Sequence, residues 1–221
     1  MRTLLTLCLC LLFEFSYAQC NPFYNFKEGS TWEITNYTDK EKVTSRQVNT
    51  VKSLTETSSG WEATLAFKSY DKKDKLELEN EIEMTCDDGT ISMDMSRFFP
   101  QEMMESFEDM DLQIDTENMV IPENLNVGDE LPDASITISG QIPFTMETKI
   151  TDRKVEGKES ITTPAGTFEC YKVSYKIISK TMMSIEMKGT DWIAKDVGMV
   201  KAESYKQNGK LQGVSLLTSF E

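Results

Sequence analysis

The sequence predicts a mainly β protein, an antiparallel curled sheet or half-open β-barrel of about ten strands with one short helix. Three observations predict it. Apolar and polar residues alternate with a period of two over most of the chain. Clusters rich in Asp, Asn and Gly separate the alternating runs, and only one stretch carries helical spacing.

Taken in order, the elements begin with a leader. Arg2 is followed by an almost unbroken apolar run over residues 4–13, and Ser16-Tyr17-Ala18 places small residues where signal peptidase reads them. The pattern predicts a secretory leader over residues 1–18, cut between Ala18 and Gln19, and too short to span a membrane. A lipid anchor on Cys20 is the rival, and Gln19 opposes it because a lipobox needs a small residue there. Residues 19–221 then read as one domain, periplasmic or extracellular and soluble after cleavage.

Strands follow. Trp61, Ala63, Leu65 and Phe67 fall on one face, opposite Glu62, Thr64 and Lys68. Leu76, Leu78, Ile82, Met84 and Cys86 alternate with Glu77, Glu79, Glu81, Glu83 and Thr85, as an antiparallel strand with one wet face requires. Phe99, Met103, Phe107 and Met110 then make a helical stripe over 96–110, which Ser96 can cap and whose first turn tolerates Pro100. Residues 111–133 read as a long connection. Alternation resumes with Ile142, Phe144, Met146 and Ile150, continues with Tyr171, Val173, Tyr175 and Ile177, and extends through Met183, Ile185 and Met187. Asp87-Asp88-Gly89, Pro164-Ala165-Gly166, Asp196-Val197-Gly198 and Gln207-Asn208-Gly209 supply turns.

Composition narrows the function classes. There are 37 acidic and 23 basic side chains, a net charge of −14, so phosphate backbones and anionic membrane surfaces are expected to be poor partners. No histidine is present, which removes His-based triads, imidazole bases and the commonest zinc ligand. No nucleophile elbow, P-loop or dinucleotide fingerprint occurs either. The expectation is no enzyme, no cofactor and no metal. A carboxylate-only hydrolase is the remaining catalytic reading, and the acids around Asp109, Asp111, Asp115 and Glu117 read as a solvated loop.

Three cysteines lie beyond the leader, so one intramolecular bond at most can form. Cys86 falls on the apolar face of its strand and Cys170 on the polar face of its own, which favours a Cys20–Cys86 disulfide. Methionine is abundant, with 13 in the chain. Met84, Met146, Met183 and Met187 fall on inward faces with Trp61, Phe67, Phe144 and Tyr175, while Phe99, Met103 and Phe107 form the helical stripe. The candidate ligand-binding set is therefore Trp61, Phe67, Met84, Phe99, Met103, Phe107, Phe144, Met146 and Tyr175, a lumen for an apolar ligand under a helical lid. An ordinary core plugged by that helix is the plainer alternative.

Several segments together carry a family resemblance: Cys20-Asn21-Pro22-Phe23-Tyr24 leading to Phe26, Gly29 and Trp32; Leu125-Asn126-Val127-Gly128-Asp129; the run from Thr162-Thr163-Pro164-Ala165-Gly166 to Val173; and the run from Trp192 through Asp196-Val197-Gly198 to Lys201. Together they resemble the TapB-like family of exported bacterial proteins, a group built on a domain of unknown function. The resemblance implies a barrel-like antiparallel sheet in bacteria with an outer membrane and brings no catalytic residues. Its nearest architectural analogy is with periplasmic half-barrels that shield lipoprotein acyl chains. The resulting expectation is an exported, non-enzymatic binding or scaffold protein of the cell envelope whose partner is an apolar ligand or an envelope protein. The alternative is a structural or protein-interaction module without a small-molecule ligand.

Overall fold

The computed structural model describes residues 20–95, 112–141 and 145–221. Fourteen strands run through them: β1 (Thr31–Thr38), β2 (Val43–Glu56), β3 (Gly60–Asp71), β4 (Leu76–Asp87), β5 (Thr90–Met93), β6 (Leu112–Glu117), β7 (Met119–Ile121), β8 (Glu130–Leu131), β9 (Ala134–Gly140), β10 (Met146–Thr163), β11 (Gly166–Lys180), β12 (Ser184–Ala194), β13 (Gly198–Lys206) and β14 (Leu211–Phe220). They form one sheet in the order β6-β9-β10-β11-β12-β13-β14-β1-β2-β3-β4-β5-β7, with β8 paired to β10, and every pairing is antiparallel.

The two ends of that path, β6 and β7, are separated in sequence by Asn118 alone. One continuous run thus pairs first with β9 and then with β5, and the sheet becomes a nearly closed barrel. Closure removes the open edges that an isolated sheet would expose to other chains.

Cross-strand partners set the inner face. Trp61 lies opposite Cys86, Ala63 opposite Met84 and Leu65 opposite Ile82, and all six are buried or half-buried. The main core gathers these with Phe23, Ile91, Leu125, Val155, Val173 and Ile193. A second cluster of Met95, Ala134, Ile136, Ile138, Met146 and Ile150 fills the β9–β10 side.

One end of the barrel is stoppered by the segment before β1. Cys20 is disulfide-bonded to Cys86, with their Cα atoms 6.2 Å apart. The buried Asn21 amide donates to the carbonyls of Gly89 (2.8 Å) and Ile121 (3.2 Å), while its oxygen accepts the Phe23 N–H. Phe23 is fully buried edge-on to Tyr171, and Phe26 stacks on Trp32. The Asp196 N–H closes the segment onto the β12–β13 turn by donating to the Pro22 carbonyl at 2.7 Å.

Four expectations need correction. The described residues hold fourteen strands, not about ten, because β5, β7 and β8 are four residues or fewer and too short to show a period. Residues 111–133 are not a plain connection, since β6 to β8 lie within them. Met183 and Ile185 are not buried; they are exposed at the β11–β12 hairpin tip, past the last β12–β13 pair, Met187 with Lys206. Leu76 is also exposed, at 45 %, because a register shift between Ser69 and Tyr70 skips Glu77 and sets Leu76 opposite Tyr70, out of phase with Leu78. The helix expected over 96–110 and the leader over 1–18 lie outside the described residues. Among the described residues no helix is long and apolar enough to cross a membrane.

Candidate ligand cavity

Above the stopper the barrel holds a cavity of about 310 Å³. Tyr24 and Trp32 border it at the stoppered end, and Ile177, Ala202 and Ser215 line it farther along the barrel. Its apolar wall is built by Leu65, Ile82, Ile121, Ile150, Val173 and Ile193, with four methionines: Met84, Met93, Met119 and Met199. Flexible thioethers line irregular apolar space at little cost in strain.

A polar wall faces this surface. Gln47 donates to Asn49 at 2.7 Å, and both line the cavity on β2. Across the barrel, the Tyr175 hydroxyl donates to Asp191 at 2.9 Å. Tyr175 owes its position to the glycine opposite it on β12, since a Cβ on Gly189 would sit 2.2 Å from the phenol ring. Beside them lies Arg153, only 5 % exposed. Its guanidinium donates to the carbonyls of Pro132 (2.7 Å) and Val120 (2.9 Å), clasping β10 to β7 where the barrel closes. Burial pushes the Arg153 guanidinium below its ordinary value, opposed by Asp191, Asp133 and Tyr175. Arginine remains charged at neutral pH even so.

A bulge brings Arg153 inward. Met146, Thr148 and Ile150 are buried on even positions of β10, whereas Arg153 and Val155 are buried on odd ones. The phase changes at a register shift between Thr151 and Lys154, where Asp152 takes φ 51°. Simple alternation from Ile150 puts Arg153 on the outside, which is why sequence reading missed it. A signal exists nonetheless: Ile150 and Val155 are five apart and can share a face only if a residue is inserted between them. Asp191 was missed because an acidic residue reads as outward, although it keeps phase with Ile193 on the inner face.

Of the residues expected to bind a ligand, Met84 and Tyr175 line the cavity. Trp61 is buried in the main core below it and contacts Phe26, Phe67 is half-buried, and Met146 is buried in the β9–β10 cluster; none of the three borders the space. Phe99, Met103, Phe107 and Phe144 lie outside the described residues. Among the described residues no three acidic or cysteine side chains converge as a metal site.

No curated protein matches the chain. Two solved structures share its fold over nearly its whole length. One, from Bacteroides fragilis NCTC 9343, is named as an exported protein with a YmcC-like fold; it is 27 % identical, with a TM-score of 0.73, covering 91 % of this chain and 100 % of its own. The other, from Parabacteroides distasonis ATCC 8503, is named as a lipoprotein; it is 25 % identical, with a TM-score of 0.74, covering 92 % of this chain and 100 % of its own. The DUF3108-like family model matches residues 27–217, which span the barrel from just before β1 into β14, and the chain therefore belongs to the DUF3108-like family.

Proposed function

We propose that this chain is an exported, non-enzymatic binding protein of the bacterial cell envelope that holds an apolar ligand inside its barrel. The observation that carries the reading is the interior cavity of about 310 Å³ walled by four methionines and aliphatic side chains. That volume lies at the lower end of the range of small-molecule sites, roughly 300–1,000 Å³. The polar wall of Gln47, Asn49, Tyr175, Asp191 and Arg153 adapts the space to an apolar body with one hydrogen-bonding end. The leader-like residues 1–18 support export, as do the names of the two structural relatives, one exported and one a lipoprotein. A chain without histidine supports the non-enzymatic part of the reading. Membership of the TapB-like group is a finer assignment of the same kind, supported by the motifs that frame the barrel.

Native mass spectrometry of protein purified from its own host tests the proposal. A retained small molecule is expected, and Met84→Trp, which fills the cavity, is expected to release it while the circular dichroism spectrum is kept. Protein that flies bare and takes up no fluorescent fatty-acid probe would leave a structural or protein-interaction module of the envelope in its place.

A further inference from the structure

Because the whole sheet is antiparallel, successive turns alternate between the two ends of the barrel. The turns at 39–42, 72–75, 181–183 and 207–210 lie at the end opposite the stopper, and their chemistry differs from that of the chain as a whole. They hold six lysines (Lys40, Lys42, Lys72, Lys73, Lys75 and Lys210) against Asp39, Glu41 and Asp74, and Asp71, which accepts the N–H groups of Lys73 and Lys75, in a protein of net charge −14. All six lysines are exposed and none makes an ion pair among the described residues. At the stoppered end the balance is reversed: Glu28, Asp88, Glu123, Asp129 and Asp196 stand against Lys27 and Lys195.

Exposed apolar side chains gather at the same lysine-rich end. Met182 is 82 % and Met183 74 % exposed on the tip of the β11–β12 hairpin, with Ile185 just behind them. Val43, Leu76 and Ile114 also lie toward this rim, which among the described residues leaves only Val127 and Phe220 of the large exposed apolar side chains elsewhere. Scattered exposed apolar residues need no explanation, but a set collected on one rim marks a contact surface.

We infer that the turns at this end dock on an anionic lipid surface, with Met182 and Met183 entering the headgroup boundary and the turn lysines meeting lipid phosphates. Charge complementarity selects the occupant: lysines beside an apolar tip match an interface that is negative outside and oily beneath. The negative net charge predicts the opposite for the molecule as a whole. Charges farther away than a Debye length of about 8 Å are screened at physiological salt, so the local turns decide the contact. The inference uses neither residues 96–111 nor 142–144, and it stands or falls separately from ligand binding in the cavity.

Co-sedimentation of the mature full chain with phosphatidylglycerol vesicles, and with phosphatidylcholine vesicles as reference, tests it. Binding to the anionic vesicles alone is expected, weakening with added salt. Each lysine neutralised in Lys72→Gln, Lys73→Gln and Lys75→Gln is expected to weaken it about fivefold. Met182→Ser with Met183→Ser is expected to weaken it further, while Val127→Ser at the stoppered end leaves it unchanged. These positions are exposed, so each variant should keep the wild-type melting temperature. Equal binding to both vesicles, no binding, or binding that the lysine and methionine variants leave intact would overturn the inference. So would loss, in the methionine variant, of a dimer seen by sedimentation without lipid, which would make the tip a contact between copies of this chain.

Discussion

Cys170 shows how a single residue can obey the alternation and still defy its usual meaning. It lies on the face opposite Tyr171 and Val173, as the period of two requires, yet it is only 1 % exposed. The outer face is covered here: Cys170 packs with Trp192, Ala194 and Val200, and Ile161, Phe168 and Val197 close over them. Lys201 and Lys172 lie over the Trp192 ring at 4.3 and 5.2 Å, and the indole N–H donates to Glu159 at 2.6 Å. Burial, then Glu169 and Glu159, push the Cys170 thiol up to about 11. Thiolate is the reactive form. Native protein at neutral pH should therefore react with a disulfide reagent far more slowly than urea-unfolded protein, in which residues 19–221, with the Cys20–Cys86 bond intact, should expose one thiol. Gly198 makes a different demand. It takes φ 82°, and a Cβ there would sit 2.4 Å from Tyr24 Cε1, so both backbone strain and the stopper ring exclude a side chain. Gly198→Ala should cost about 2 kcal/mol, read as a lower urea midpoint at unchanged slope.

At the scale of elements, the stopper and the strands draw on different information. The period of two marks β3, β4, β10 and β11 because each is long and has one wet face. It does not mark β6, whose Gln113, Asp115 and Glu117 are exposed and whose Ile114 is exposed as well, so burial gives it no period. Nor can it mark β8, two residues long and held by its pairing with β10. Candidate binding residues were legible where the phase is simple, as at Met84 and Tyr175, and hidden where a bulge resets it, as at Arg153. The stopper has no period at all and is held by specific bonds. Closing the 66-residue separation between Cys20 and Cys86 restricts the unfolded chain, and its loss should cost about 2–4 kcal/mol. Since either single serine variant breaks the same bond, Cys20→Ser, Cys86→Ser and the double variant should lower the urea midpoint by nearly the same amount. Asn21→Ala leaves the Gly89 and Ile121 carbonyls without their amide donor, and should cost a further 1–3 kcal/mol or so with the disulfide intact.

For the whole molecule, acidity sets two opposing electrostatic effects whose pH ranges differ. At pH 7 the net charge of −14 makes the compact state repel itself, and protonating the exposed carboxylates relieves that. Against it stand carboxylates that the fold holds in their charged form. Lys149 and Lys180, at 2.8 and 2.9 Å, pull Glu147 below the ordinary glutamate range despite partial burial, joining β10 to β11 toward the end opposite the stopper. Trp192, then Lys172 and Lys201, do the same for Glu159, with burial in opposition. A carboxylate lowered in the folded state contributes stability that is complete above its unfolded value, about 4.3 for glutamate, and is lost as pH falls through its folded value. The first effect acts as protonation begins and the second only at lower pH, so stability should hold or rise from pH 7 to about 5 and fall below about 4. Added salt separates the two, because it screens diffuse repulsion more than close pairs. The melting temperature at pH 7 should rise with salt, while the fall below pH 4 should persist. Glu147→Gln with Glu159→Gln should flatten that fall, and an unchanged acid limb in this variant would mean that other carboxylates carry the pH dependence.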